Sequence, residues 1–260
     1  MRVGVLGAGG RMGATVCQAV LADPALELVA AVDPHHSGID LDQLGVHGSG
    51  VQIVAGLEQC AALDIDVIVD FTTHDAALRN LEWCAAHDVH SVVGTTGFTA
   101  EELDALRTRF AEATANAFIA PNFAIGAVLM MRFAEQAAPY FDSVEVIELH
   151  HDAKADAPSG TAMLTAQRIA DASAQWAADP THQELLPGAR GGLGPGGIRI
   201  HAVRMRGMVA HQEVLLGTTG QTLAIRHDSY DRASFMPGVL LAIKAVPARR
   251  GLTVGLDALL

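Results

Sequence analysis

The first 33 residues leave this chain little choice of fold. Arg2–Leu6 reads as a short buried strand. Gly7-Ala8-Gly9-Gly10-Arg11-Met12-Gly13 follows, residues 14–22 read as a helix ended by Asp23-Pro24, and residues 27–33 read as a second strand. Strand, glycine-rich turn, helix and strand within roughly 30 residues make the opening βαβ unit of a dinucleotide-binding sheet. The usual G-x-G-x-x-G spacing would need glycine at position 12, where Met12 stands; glycines fall instead at 7, 10 and 13, with Gly9 extra. The physics is unchanged. Missing side chains let the backbone approach a pyrophosphate, and the helix start offers N–H donors and partial positive charge. Arg11 is placed to add a phosphate contact. Asp33 lies about 20 residues past Gly13, where an acid accepts hydrogen bonds from ribose hydroxyls. A carboxylate there also repels a 2′-phosphate, and Pro34, His35 and His36 follow it rather than arginine. NADH is therefore expected to be favoured over NADPH, with the two histidines as the groups able to donate to a phosphate.

More of the same architecture follows. Apolar strands are expected at 51–54, 66–71, His90–Val93 and 117–120, with helices at 75–87 and 100–115 between the later ones. Apolar strands alternating with helices mean a parallel sheet covered on both faces. Gly94-Thr95-Thr96-Gly97-Phe98, Phe71-Thr72-Thr73-His74 and Ala120-Pro121-Asn122-Phe123 all leave strand ends on the edge where such sheets bind ligands. Their hydroxyls and small residues suit a nicotinamide and its carboxamide, although Thr95 or Thr99 can equally cap a helix.

The pattern changes after Pro121-Asn122. A helix at 126–138 leads to the strand Ser143–His150, a polar loop at 152–158 and a helix starting near Thr161. Residues 187–197 hold six glycines and two prolines, which predicts a flexible loop. Strand-like segments at 198–204, 211–216 and 222–227 lack helices between them, so antiparallel pairing is expected. Residues 231–245 return to helical periodicity, and 252–256 read as a last strand placed against the first domain. The expected fold is α/β: a Rossmann-type parallel sheet domain (1–122 and 229–260) plus a second α+β domain with a mixed or antiparallel sheet (123–228).

Composition excludes several roles. A formal net charge of −12 and the lack of a basic stripe argue against nucleic acid, and against an anionic membrane surface. No apolar run approaches the roughly 18 residues of a membrane span. Mean hydropathy is +0.27 and half the residues are hydrophobic, which fits a packed core rather than disorder. Cys17, Cys60 and Cys84 are widely spaced and form no CxxC, and the N-terminus has no long apolar leader. Reduced thiols in a cytoplasm are expected.

The densest chemistry lies in Glu148-Leu149-His150-His151-Asp152-Ala153-Lys154-Ala155-Asp156-Ala157-Pro158-Ser159-Gly160-Thr161. Two histidines and a lysine leave a strand, and Pro158-Ser159-Gly160-Thr161 opens a helix with Ser159 or Thr161 as its cap. Free N–H groups at a helix start bind carboxylates. Lys154 is the only basic side chain between Arg132 and Arg168, histidines apart, and makes a local cationic pocket for an anionic substrate. A near-neutral histidine beside a lysine is a proton-transfer set. No third ligand has metal-site spacing, so no metal is expected. With 12 histidines in the chain, solvated histidines without a role remain the plain alternative.

These stretches, in this order and nearly end to end, resemble the dihydrodipicolinate reductase family. The H-H-x-x-K-x-D-A-P-S-G-T segment is highly specific, and His211-Gln212-Glu213-Val214 with residues 222–229 resembles the actinobacterial branch. The resemblance implies reduction of a cyclic dicarboxylate, made from aspartate semialdehyde and pyruvate, to tetrahydrodipicolinate for diaminopimelate and lysine, with hydride from NADH or NADPH. It implies His150 as general acid/base, Lys154 as proton donor, and His151, Gly160 and Thr161 as holders of substrate carboxylates. Gly7, Ala8, Gly9, Gly10, Arg11, Met12, Asp33, Gly94, Thr95, Thr96, Ala120, Pro121, Asn122 and Phe123 would line the cofactor. It implies a homotetramer joined through the second domains. Pro34 stands where some members carry a cation, and Ala210-His211-Gln212 differs from other branches. A two-domain sugar dehydrogenase or aspartate dehydrogenase would lack the His-His-x-x-Lys segment and the Ala157-Pro158-Ser159-Gly160-Thr161 helix start. A redox-sensing regulator would need a DNA-binding module and a basic surface.

Overall fold

The computed structural model describes all 260 residues. The chain divides into two compact units, Met1–Phe123 with Phe235–Leu260, and Ala124–Ser234. In the first unit the chain runs β1 (Arg2–Leu6), α1 (Arg11–Ala22), β2 (Glu27–Val32), β3 (Ile53–Val54), β4 (Val67–Asp70), α2 (His74–Ala86), β5 (His90–Val93), α3 (Ala100–Glu112) and β6 (Ala117–Ile119). The second unit holds α4 (Ile125–Ala137), β7 (Ser143–His150), α5 (Gly160–Ala172), β8 (Gly192–Leu193), β9 (Arg199–Arg204), β10 (Ala210–Thr218) and β11 (Gln221–Ser229). The tail returns to the first unit as α6 (Met236–Ala245) and β12 (Leu252–Val254).

The first unit is a seven-stranded sheet ordered β12-β6-β5-β4-β1-β2-β3, parallel throughout. Its central strands are mainly apolar on both faces and buried beyond their first residues, because helices cover both sides. Leu81 of α2 with Leu106 and Phe110 of α3 packs against Val93 and Ile119, while α1 packs beside α6. The chain leaves β1 toward β2 and β3, then returns to lay β4 on the other side of β1. That reversal puts the ligand crevice of such a sheet at the carboxyl end of β1. The tail is pinned by one buried side chain. Asn116 Nδ2 donates to Val246 O (3.1 Å) and Pro247 O (3.0 Å), and its Oδ1 accepts from Gly251 N (2.9 Å). β12 then pairs with β6, which accounts for the last strand.

The second unit has a five-stranded sheet ordered β11-β10-β7-β9-β8. It is mixed rather than antiparallel throughout: β7 pairs with β9 in parallel, and the β10 pairings are antiparallel. The reason is α5, which carries the chain from β7 over one face and back to β9. Alternation does the rest. Val144 and Val146 of β7, Ile200 of β9, and Val214 and Leu216 of β10 point to one face, and Ala134 of α4 with Ala162, Ala166 and Ile169 of α5 closes it. The glycine-rich stretch at 187–197 is not loop alone, since Gly192–Leu193 is the edge strand β8. Gly191 is required for close approach: a Cβ there would lie 2.6 Å from Ile200 O, at φ +69°. The helix expected over 231–245 becomes regular only at Met236, where Pro237 occupies its first turn.

Candidate active site

Two sets of residues are assembled, one in each unit. In the first, the turn after β1 is shaped by its glycines. Gly7 has φ +71°, and a Cβ on Gly13 would run into Gly7 O, so the first turn of α1 packs directly on the loop. No side chain caps the start of α1 and no acid stands in its first turn. Asp33 is buried at the end of β2, where Oδ2 accepts from Gly9 N (3.1 Å) and Oδ1 from His35 N (2.9 Å). The carboxylate thus fixes the glycine loop against the strand end. The His36 ring lies over Gly9, with Nδ1 3.1 Å from Asp33 Oδ1 but without hydrogen-bond geometry. A cradle that a Cβ would fill, an uncapped helix start and a buried acid fit a dinucleotide's pyrophosphate and ribose. Ala8 is buried, Met12 half-buried, and Arg11 exposed at the mouth.

The loops after β4, β5 and β6 are stitched together at the same sheet edge. Gly94 N donates to Asp70 O (2.9 Å), Ala120 N to Val93 O (3.0 Å), and Thr95 Oγ1 to Thr72 O (3.0 Å). A Cβ at Gly94 would strike the Phe71 ring, which in turn packs 5.9 Å from Phe123. Buried Asp70 accepts from Thr72 N and Oγ1 (2.7 and 2.6 Å) and from Asn80 (2.8 Å). Burial still raises its carboxyl above the ordinary range, against those hydrogen bonds. Thr95 is therefore a buried strut, while Thr96 and Pro121 are exposed and Asn122 is half-buried. Thr99, rather than Thr95, is the helix cap: its Oγ1 accepts from Glu102 N (3.2 Å), and Glu102 accepts from Thr99 N (2.8 Å).

In the second unit the chemistry converges on a residue that composition and spacing left without a role. Glu148 is fully buried on the inward face of β7. Arg204, from β9, grips its carboxylate with two parallel bonds, Nη1 to Oε2 and Nη2 to Oε1, each 2.8 Å. Ser159 N donates to Oε1 (3.1 Å), and His150 Nδ1 makes a short hydrogen bond to Oε2. Arg204 Nη2 also donates to Asp156 O (2.6 Å), which ties down the loop. Burial pushes the Glu148 carboxyl upward, but the bonds from Arg204 and His150 outweigh it, so the group sits below its ordinary value. An ionised carboxylate accepts the Nδ1 proton of His150 and leaves Nε2 as the imidazole's other nitrogen. For His150 burial dominates and lowers its pKa, opposed by Glu148 and reinforced by the charges of Lys154 and Arg204. At neutral pH the ring is mainly uncharged.

Lys154 Nζ is 2.8 Å from Asp156 Oδ1, and the lysine holds that exposed carboxyl below its usual range. Ser159 Oγ caps α5 by accepting from Ala162 N (3.2 Å). His151 is exposed at the strand exit, Gly160 is exposed on the first turn, and Thr161 O accepts from Thr165 Oγ1 (2.8 Å). The fold therefore brings His150, Lys154 and the start of α5 to one place. It also brings Arg204, and the Arg206–Asp152 pair (2.9 Å), into a neighbourhood where the linear sequence offered only Lys154. The signal for Glu148 lies in the strand alternation, since it continues the buried apolar row Val144-Val146 on β7; Arg204 is half-buried and follows exposed Ala202 on β9, so alternation does not mark it.

The family described as dihydrodipicolinate reductase matches in both of its parts, the N-terminal over residues 1–123 and the C-terminal over residues 126–260. A 4-hydroxy-tetrahydrodipicolinate reductase of Nocardia farcinica is 52% identical over 265 residues, covering 100% of this chain and 98% of the relative. One of Mycobacterium ulcerans is 51% identical over 262 residues, covering 100% and 99%. Among solved structures, a dipicolinate-bound dihydrodipicolinate reductase from Paenisporosarcina sp. TG-14 superposes with a TM-score of 0.88 at 42% identity, covering 100% of this chain and 99% of that one.

Proposed function

Because the chain belongs to the dihydrodipicolinate reductase family, we propose that it catalyses the NAD(P)H-dependent reduction of 4-hydroxy-tetrahydrodipicolinate to tetrahydrodipicolinate, on the diaminopimelate route to lysine. The observation that carries the reading is the convergence of His150, Lys154 and the start of α5 around buried Glu148. The first unit is assigned to the dinucleotide and the second to the dicarboxylate. When bound, the reduced nicotinamide supplies the hydride. The glycine loop from Gly7 to Met12 receives the pyrophosphate, Asp33 the ribose, and Gly94, Thr95, Thr96 and Ala120 to Phe123 surround the nicotinamide end. Lys154 and the backbone of Gly160 and Thr161 bind the substrate carboxylates, with His151 at the rim. His150 Nε2 exchanges a proton with the substrate, and Lys154 is the nearby proton donor, while the 4-hydroxyl of the substrate leaves as water so that hydride and proton account for the product. Oxidation of NADH should require the enzymatically generated dicarboxylate and should not occur with sugars or free amino acids. Turnover of a sugar or an amino acid instead would overturn the assignment.

NADH is the favoured cofactor in this reading, with NADPH used at a similar order. Asp33→Ala loosens the glycine loop for both cofactors but should weaken NADH more than NADPH, because only NADH offers the carboxylate a free 2′-hydroxyl. Equal loss for both, measured by direct titration, would remove Asp33 from the ribose site.

The assembly is a homotetramer. The second sheet is covered by α4 and α5 on one face. Ile147, Leu149, Val203 and Leu215 are half-buried on the other, and the nine-residue β11 forms an edge. Light scattering should give about four times 27.2 kDa, and a monomer mass at micromolar concentration would contradict this. The three cysteines are buried free thiols, and burial raises Cys17 to about 12, so they are inert. That suits a cytoplasmic enzyme.

A further inference from the structure

We infer that Glu148 is the positioning residue of this site: its buried carboxylate, locked by Arg204, sets the orientation and tautomer of His150 and fixes the loop and the helix start that carry the substrate-binding groups. The inference rests on the proposed role of His150 and goes beyond it, because it concerns a residue that never meets substrate.

Three segments carry the assigned residues: the end of β7, the loop to α5, and the first turn of α5. Each makes a direct bond to the Glu148–Arg204 pair. His150 Nδ1 reaches Glu148 Oε2, Asp156 O accepts from Arg204 Nη2, and Ser159 N reaches Glu148 Oε1. A buried carboxylate is costly unless every lone pair is used. Here both oxygens accept twice, from two guanidinium nitrogens, a backbone N–H and an imidazole. The bidentate fork fixes the carboxylate plane, and the carboxylate then fixes the ring. A neutral amide in its place cannot do this. Its NH₂ would face donors from Arg204 or Ser159, and only one oxygen would remain for the rest.

A stabilising ion pair and a positioning device differ in their effect on protons. The charged groups around His150 are Glu148 on its own strand, Arg204 on β9, Lys154 and Asp156 in the following loop, and the Asp152–Arg206 pair; Ala210, its partner on β10, carries no charge. Of these, Glu148 is the acid in direct contact with the ring. Removing its charge leaves His150 with burial and two cations, so its pKa falls further. The limb of the pH–rate profile that reports His150 must then move to lower pH, whether the ring acts as acid or base.

The test compares the wild type, Glu148→Gln, and the double variant Glu148→Gln/Arg204→Met. The single variant should lower kcat about 10–100-fold, less than the roughly 10²–10⁴-fold an acid–base group supplies, because His150 is misaligned and not removed. It should shift the His150 limb downward and leave NADH affinity unchanged by titration. It should also lower Tm, because Arg204 loses its ionic partner. The double variant removes that unpaired guanidinium, so Tm should recover while kcat stays low; the limb moves partly back, because one of the two cations is gone, but stays below the wild-type position. A double variant that regains both Tm and kcat would reduce the pair to scaffolding and overturn the inference, as would a Glu148→Gln enzyme with the wild-type rate and limb. If His150→Ala is slow but Glu148→Gln is normal, this inference alone fails; if His150→Ala keeps its rate, the function reading fails with it.

Discussion

Replacement of His150 by alanine should lower kcat about 10²–10⁴-fold, with a smaller change in KM for NADH. The ring is half-buried with one nitrogen engaged by Glu148, so truncation removes the proton-transfer atom without opening the core. The glycine loop and Asp33 belong to the other unit, so direct titration should give near wild-type NADH affinity. The pH–rate profile should lose the limb attributed to His150. Burial lowers the pKa of this imidazole more than Glu148 raises it, so that limb lies below the ordinary histidine value. A variant that retains kcat would return the histidine pair to solvated residues without a role.

Lys154→Ala should reduce kcat and also raise KM for the dicarboxylate, since the ammonium both supplies a proton and binds charge. Its partner Asp156 is an exposed carboxylate 2.8 Å away, which a substrate carboxylate can replace without leaving a buried charge behind. A hydrogen bond to a charged group contributes about 1.5–3 kcal/mol, or about 10–100-fold in KM. Lys154→Arg should restore most of the binding but little of the rate, because guanidinium does not give up its proton. Steady-state kinetics on both variants decide this. An unchanged KM for the dicarboxylate in Lys154→Ala would remove the lysine from the binding site.

The sequence was most legible where function is written in consecutive residues. Gly7 to Gly13 with Asp33 sits in one βαβ unit, and His150, Lys154 and Ser159 sit in one strand–loop–helix passage, so local spacing suffices for both. Arg204 was not legible as part of the site because it lies 56 residues beyond Glu148 and arrives through the parallel β7–β9 pairing. Runs of strands without helices suggested antiparallel partners; the helix that makes this pair parallel had already passed, between β7 and the glycine-rich stretch. That stretch also holds more than a loop: Gly191 lets backbone pass close to Ile200, and Gly192–Leu193 forms β8. The capping alternatives at Thr95 and Thr99 illustrate the same limit. Both hydroxyls suit a cap, and only the three-dimensional path shows Thr99 taking it while Thr95 braces the loop after β4.

The central claim is that this chain passes a hydride from a nicotinamide cofactor to a cyclic dicarboxylate. NADH dideuterated at C4, supplied with the enzymatically generated substrate and the wild-type chain, tests it in one step by mass spectrometry of the product. Tetrahydrodipicolinate carrying one deuterium on carbon, formed in step with NAD⁺, is the predicted result. Oxidised cofactor without label in the dicarboxylate, or label in another acceptor, would contradict the account.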